Sequence, residues 1–203
     1  ATEKYLYIGS HQHTKNQGRL CLYNKDFSPT SRCLLENMSA NLYPLPSKGT
    51  ILMLKRNDIL KYDEKNNEIE TYIENCFSAY YAGSVTKIYA DRQGDFFAFL
   101  RASTAPSTGV EQKSCLYKLK RKYAQEIQLQ AAPAFSSIYD MIQFGPHEFW
   151  LGTDNGILSF RPKNDSIWQF NYSIGRGITF NQFLEDRQHN IWISTLRHGL
   201  WHT

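Results

Sequence analysis

Short apolar runs alternate with polar, turn-forming clusters along the whole chain. Residues 148–160, EFWLGTDNGILSF, illustrate the pattern, because two apolar runs meet there at Asp154, Asn155 and Gly156. None of the runs has the spacing of apolar residues that an amphipathic helix requires. The pattern therefore predicts a succession of short β-strands joined by turns.

The apolar runs recur at a nearly fixed period. A large residue opens the central run of each copy at Tyr7, Leu52, Phe97, Trp150 and Trp192, and the spacings are 45, 45, 53 and 42 residues. The first and third copies contain longer turns, and without the additional turn residues the period lies near 42. A constant period of this length indicates a repeat architecture.

Each copy also has one apolar run upstream of the large residue and another run downstream. Asp91 and Asp186 begin the clusters DRQG and DRQH at the same offset from Phe97 and Trp192, which favours a turn-forming role for both aspartates. Four strands in about 42 residues are typical of a β-propeller blade. We therefore predict an all-β fold of four-stranded antiparallel blades, about five units including partial ones, over residues 1–203. A large antiparallel sandwich or barrel fits the strands but not the period.

The phase of the repeat bears on whether the propeller closes. The chain begins in the second strand of one blade and ends in the third strand of another. Neither terminus supplies only the strand that the other lacks. We therefore expect a fragment of a larger propeller, with a small closed ring as the alternative.

Two stretches resemble the two-component regulator propeller repeat, whose pattern runs approximately E-D-x-x-G-N-I-W-I-G-T-x-x-G-L-x-x-Y. The resemblance is strong in the last quarter of the chain, weak over residues 40–130, and partial at Tyr7–Ser10 and Asp91–Gly94. The matching residues are Glu185, Asp186, Asn190, Trp192, Ile193, Thr195, Gly199 and Leu200, with Trp150, Gly152, Thr153, Gly156 and Ile157.

This resemblance implies the periplasmic sensor part of a bacterial hybrid two-component system. In that family, two seven-bladed propellers and a small sandwich domain precede a membrane helix, a histidine kinase and a response regulator. Such sensors recognise breakdown products of polysaccharides and act as dimers. The resemblance therefore implies an oligosaccharide ligand, a homodimer in the parent receptor, and attachment to the membrane only through parts outside residues 1–203.

Composition and charge exclude several other classes of protein. With 41% hydrophobic residues the chain is globular, and its formal net charge of +4 is too small to indicate nucleic-acid binding. A basic run, Lys118, Lys120, Arg121 and Lys122, is expected to form an exposed turn. No apolar run approaches the roughly 20 residues that a transmembrane helix needs. The residues alone leave open either a cytosolic chain or one from which a leader has been removed.

A ligand is expected on the propeller face that carries the loops into each blade and the loops between second and third strands. Arginine and histidine beside aromatic residues suit hydroxyl-rich or anionic sugars, because guanidinium groups form paired hydrogen bonds with carboxylate or sulfate. The predicted binding residues are Arg56, Lys87, Arg101, Tyr139, Asp140, Asp154, Asn181, Arg197 and His198.

Other residue types point to structure rather than to chemistry. Trp150 and Trp192 recur at the same repeat position, which favours packing between blades over sugar stacking. No cofactor or metal is expected, since His11 and His13 lie in a polar loop and no C-x-x-C spacing occurs. Four buried free thiols are expected, with a pair between Cys21 and Cys33 across a hairpin as the alternative.

Three functions remain from the sequence. The first is a non-catalytic, ligand-sensing propeller of a signalling receptor. The second is a propeller scaffold that binds another protein. The third is a polysaccharide hydrolase or lyase, for which the candidate is the adjacent acidic pair Glu185 and Asp186, which follows an apolar strand.

Overall fold

A computed structural model describes the backbone of residues 5–12, 17–24, 32–35, 40–45, 50–55, 58–63, 68–74, 85–100 and 114–203. Side chains are described for residues 58–63, 68–74, 87–100 and 114–203. All regular structure in these ranges is β-structure, in eighteen strands. None of the described residues belongs to a helix long and apolar enough to cross a bilayer.

The strands follow the predicted apolar runs closely, because each run alternates its side chains between the two faces of a sheet. Their bounds are β1 (Tyr5–Gln12), β2 (Gln17–Asn24), β3 (Arg32–Leu35), β4 (Ala40–Leu45), β5 (Thr50–Lys55), β6 (Asp58–Asp63), β7 (Glu68–Ile73), β8 (Val85–Ala90), β9 (Phe96–Leu100), β10 (Cys115–Lys120), β11 (Tyr123–Gln130), β12 (Ile138–Gly145), β13 (Glu148–Thr153), β14 (Gly156–Pro162), β15 (Ile167–Ile174), β16 (Phe180–Glu185), β17 (Ile191–Thr195) and β18 (Leu200–His202).

The chain divides into two compact units, and the first comprises residues 1–83 with 121–123. Its described strands form an antiparallel sheet of order β1-β2-β3 and a second of order β4-β5-β6-β7. The register of β2 and β3 places Cys21 directly opposite Cys33. A pair between these two cysteines across a hairpin, the alternative to free thiols, requires this position of the backbone.

The second unit comprises residues 84–120 and 124–203. It contains the third blade (β8–β11), the fourth blade (β12–β15) and the fifth blade, of which β16–β18 are described. The outermost strands of the third and fourth blades also pair in parallel over three residues, Gln128–Gln130 with Ile167–Gln169. The predicted all-β propeller fold with four-stranded antiparallel blades is confirmed.

The turn clusters of the repeat are built around their aspartates. The Asp91 carboxylate accepts a hydrogen bond from the Asp95 backbone N–H at 2.7 Å. At the equivalent place, Asp186 accepts backbone N–H groups of Gln188 and Asn190, both at 2.9 Å. Each aspartate therefore has the turn-forming role that the repeat predicts.

The cores lie between neighbouring blades. Trp168, Phe97 and Phe149 form an aromatic group between the third and fourth blades, with ring centroids 4.6 to 5.7 Å apart. Trp150 lies between the fourth and fifth blades and is 3% exposed. The predicted role of Trp150 in packing between blades is confirmed, whereas Trp192 is only half-buried.

Candidate functional site

Three successive blades share one irregularity in their innermost strands. In each of β8, β12 and β16 the pairing register shifts by one residue near the start of the strand. Such a bulge turns a side chain away from its regular direction and is common beside binding sites. The residues within the shifts are Thr86, Tyr139 and Asn181, and those that follow are Lys87, Asp140 and Gln182.

Asp140 connects the innermost strands of all three blades. Its carboxylate lies 2.6 Å from the Lys87 ammonium of the third blade. It also accepts the backbone N–H of Met141 at 2.7 Å and, from the fifth blade, that of Phe183 at 2.8 Å. Asp140 is only 1% exposed. We call this group of contacts the Asp140 brace. It fixes the spacing of the three innermost strands, which begin at the predicted ligand face.

The two charges of the brace have different surroundings. Burial raises the pKa of the Asp140 carboxyl above its ordinary value, although the Lys87 charge and the donated hydrogen bonds oppose this effect. The Lys87 side chain, in contrast, is 32% exposed. About a third of the Lys87 side chain is therefore open to solvent, while the Asp140 carboxylate holds its ammonium in place.

Asp154 and Asn155 tie together the loops of this face. Asp154 accepts the backbone N–H groups of Ser136 and Ser137, both at 3.0 Å. Partial burial acts to raise the pKa of the Asp154 carboxyl, but the hydrogen bond donated by the Ser136 hydroxyl, together with these backbone hydrogen bonds, lowers it. Asn155 donates to the Ala134 carbonyl at 2.8 Å and accepts from a backbone N–H of the loop into the fifth blade. Asp154 therefore shapes the predicted face chiefly by ordering its loops.

The fifth blade presents the more accessible residues of this face. Asn181, Arg197 and His198 are exposed. The turn that carries Arg197 and His198 is held by Thr195, whose hydroxyl donates to the Gly199 carbonyl at 2.8 Å and accepts the His198 backbone N–H at 2.8 Å.

Of the predicted binding residues, the structure brings Lys87 and Asp140 into contact. Tyr139 stands next to Asp140 in β12, where it is half-buried. Arg56 and Arg101 lie outside the described residues.

Glu185 lies in a separate ionic cluster, near the turns that carry Asp91 and Asp186. Its carboxylate contacts His189 at 2.6 Å and Arg92 of the third blade at 2.9 Å. The hydrogen bond from His189, with that from Arg92, lowers the pKa of Glu185 despite partial burial. This environment favours the ionised form of the carboxylate, whereas a general acid must hold a proton at the working pH.

The basic run contributes to a cleft that the sequence did not predict. Lys118 is not exposed in a turn: it lies within β10 and contacts Asp95 at 2.5 Å and Asp165 of the fourth blade at 2.8 Å. Lys120 also pairs with Asp165, at 2.9 Å, while Arg121 and Lys122 are exposed in the turn as expected. Beside these ion pairs is a cleft of about 320 Å³.

The described side chains offer little to a metal ion. Among them, no group of three or more histidine, cysteine, aspartate or glutamate residues is arranged to hold one. The loop residue His13 lies outside the described part of the chain.

Comparison with known proteins identifies the fold. No family profile and no curated protein sequence matches the chain. Among solved structures, the chain is similar to the extracellular domain of BT4673, assigned as a hybrid two-component system, from B. thetaiotaomicron. The TM-score is 0.62 at 12% identity, over 98% of this chain and 24% of that one.

Two further structures carry other activities on a similar fold. YCF48 bound to a D1 peptide gives a TM-score of 0.60 at 12% identity, over 98% of this chain and 63% of that one. Virginiamycin B lyase from Staphylococcus aureus gives 0.59 at 11% identity, over 98% and 69%. The chain thus spans about a quarter of the BT4673 domain and under two thirds of YCF48. At these identities the similarity establishes the propeller fold alone.

Proposed function

We propose that this chain is a non-catalytic, ligand-sensing propeller segment of a bacterial two-component receptor, and that its ligand is an oligosaccharide. The observation that carries the proposal is the Asp140 brace, which holds the partly exposed Lys87 side chain at the predicted ligand face. The similarity to the extracellular domain of BT4673 supports a sensor role in particular.

The chemistry of the face suits a sugar with hydroxyl and acidic groups. Lys87 and Arg197 provide cations, Asn181 provides both a hydrogen-bond donor and an acceptor, and Tyr139 provides an aromatic ring. Charged hydrogen bonds to carboxylate or sulfate are about twice as strong as neutral ones. We therefore expect uronic acid or sulfated oligosaccharides to bind better than neutral ones.

The setting of the segment is part of the proposal. The similarity to an extracellular sensor domain supports a location outside the cytoplasm, in the periplasm. We further propose that the parent receptor is a homodimer with a histidine kinase beyond the membrane. Within the segment, the ion pair of Glu185 with Arg92 and its hydrogen bond with His189 support a non-catalytic role over a hydrolase or lyase.

Calorimetry against a panel of neutral, uronic and sulfated oligosaccharides tests the proposal. Replacing Arg197 by alanine should weaken binding about tenfold or more, as expected for the loss of a charged hydrogen bond. The matched control is Arg187→Ala, which removes an exposed arginine from the turn that Asp186 organises and should leave the affinity unchanged.

Two results would contradict the proposal. If no oligosaccharide binds to the complete gene product, the sugar ligand is wrong. If the protein releases reducing ends from the oligosaccharides of the panel and the Glu185→Gln variant does not, the segment is an enzyme.

A protein-binding propeller is the second candidate, because a propeller bound to a peptide is among the similar structures. A pull-down with the complete gene product, washed with or without excess oligosaccharide, distinguishes the two candidates. A protein partner that stays bound in the presence of the oligosaccharide, but no longer binds the Arg197→Ala variant, would favour the scaffold.

A further inference from the structure

The loop that leads into the fifth blade carries an arginine between two glycines. Residues 175–178 form a β-turn, in which the Ile178 backbone N–H donates to the Gly175 carbonyl at 3.0 Å. Gly177 has a φ of 80°, as the third residue of a type II turn requires, and glycine adopts this conformation readily. Arg176 therefore stands at the corner of the turn, where it is exposed. We name residues 175–178 the arginine turn.

The fourth blade fixes the arginine turn. The Asn155 side chain accepts the Gly177 backbone N–H at 3.1 Å and donates to a carbonyl of the loop into the fourth blade at 2.8 Å. Close packing holds the base of the turn: a Cβ atom at Gly175 would lie 2.7 Å from the Phe180 ring, and one at Gly152 of the fourth blade would lie 2.8 Å from the Phe180 carbonyl oxygen. The turn therefore has a defined position before a ligand binds, which lowers the entropic cost of binding.

The turn that carries Arg197 fixes the other end of the same loop. There the Thr179 carbonyl accepts the Leu196 backbone N–H at 3.0 Å. The three residue steps from Arg176 to Thr179 span at most about 11 Å, and Arg197 directly follows Leu196. Arg176 and Arg197 therefore lie close enough for a single oligosaccharide at the ligand face to contact both.

Neither of these two arginines has a carboxylate partner among the described residues. Arg92 and Arg161, in contrast, each pair with a glutamate. Two guanidinium groups without a local counter-ion attract anions to the surface that carries them. Each group can also form paired hydrogen bonds with the oxygens of a carboxylate or a sulfate. The two positions are thus suited to two acidic groups of one ligand.

We propose that Arg176 is a further ligand-binding residue, and that together with Arg197 it makes the ligand face selective for oligosaccharides with two acidic groups. The inference rests on the proposed sensing function and specifies the ligand that this function requires. Asn155 is a positioning residue in this arrangement, because it holds the backbone of the arginine turn and acts on the ligand through Arg176.

Calorimetry on the complete gene product tests the proposal, with uronic and sulfated oligosaccharides that carry either one or two acidic groups. We expect those with two groups to bind about tenfold or more tightly than those with one, as one additional charged hydrogen bond predicts. Arg176→Ala should abolish this preference. The matched control is Arg187→Ala, since Arg187 is also an exposed arginine without a carboxylate partner among the described residues, and it should retain the preference.

The role of Asn155 is tested by a double-mutant cycle. Asn155→Ala should weaken the binding of oligosaccharides with two acidic groups, and it should weaken binding no further in the Arg176→Ala background. Additive losses would show that Asn155 does not act through Arg176.

The failure of this inference differs from the failure of the proposed function. If Arg176→Ala keeps the preference, or if the wild type binds both kinds of acidic oligosaccharide equally well, the role of Arg176 is wrong while the sensing function stands. If the wild type binds no oligosaccharide, the sensing function is wrong and the inference is wrong with it.

Discussion

Removing the Asp140 carboxylate tests whether the brace holds the inner strands together. Asp140→Ala deletes the ion pair to Lys87 and leaves the backbone N–H groups of Met141 and Phe183 without their acceptor. Asp165→Ala is the matched control. It deletes an aspartate that also pairs with two lysines, but whose side chain is 59% exposed.

The structure predicts very different costs for the two substitutions. Breaking a buried ion pair costs about 3 to 5 kcal/mol, and each buried N–H group left without a partner costs about 1 to 3 kcal/mol. Lys87 is one-third exposed and can regain water, so the ion-pair cost should lie at its lower end. Together with the two unpaired N–H groups, we expect a loss of about 3 to 5 kcal/mol for Asp140→Ala. An exposed ion pair contributes about 1 kcal/mol or less to stability, so the loss of stability in Asp165→Ala should not exceed that amount.

Urea unfolding, followed by tryptophan fluorescence, measures both free energies of unfolding. The midpoint should fall for Asp140→Ala without a change in slope. In a double-mutant cycle with Lys87→Met, the two losses should sum to more than the loss in the double variant. If Asp140→Ala lowers the free energy of unfolding no more than Asp165→Ala does, the brace does not stabilise the blades. The observation that carries the proposed ligand face would then be wrong.

Two further predictions concern the repeat itself. Gly152→Ala should destabilise the protein by about 1 to 3 kcal/mol through overpacking, whereas Gly145→Ala, with its nearest contact at 3.7 Å, should change thermal stability by less than about 0.5 kcal/mol; equal effects would contradict the close contact between blades. Hydrogen bonds from Asn190 and Trp192 lower the pKa of Asp186 to about 2, below its value near 4 in an unfolded chain. Its contribution to stability is therefore present above pH 4 and lost as the pH falls through 2, so the stabilities of the wild type and Asp186→Asn should converge over that window in acid unfolding curves.

Local patterns in the sequence determined the strands and the repeat. Each apolar run alternates its side chains across a sheet regardless of its neighbours, so strand positions and the 42-residue period follow from residue types alone. The turn roles of Asp91 and Asp186 were also predictable, because an aspartate that organises a turn bonds to backbone only two to four residues away. The burial of Trp150 followed from its recurrence in the repeat.

Only the tertiary structure decided how charges pair between blades. Lys87 and Asp140 are far apart in sequence, and their contact depends on a shared bulge and on the rotation from one blade to the next. Lys118 looked like part of an exposed basic turn, but strand alternation turns it toward Asp165 of the neighbouring blade. The physical reason is the distance along the chain over which each feature is encoded. Hydrophobic periodicity is local and encodes which face of a strand is buried. An ion pair requires two particular side chains to meet, and here the packing of blades brings together side chains that are distant in sequence.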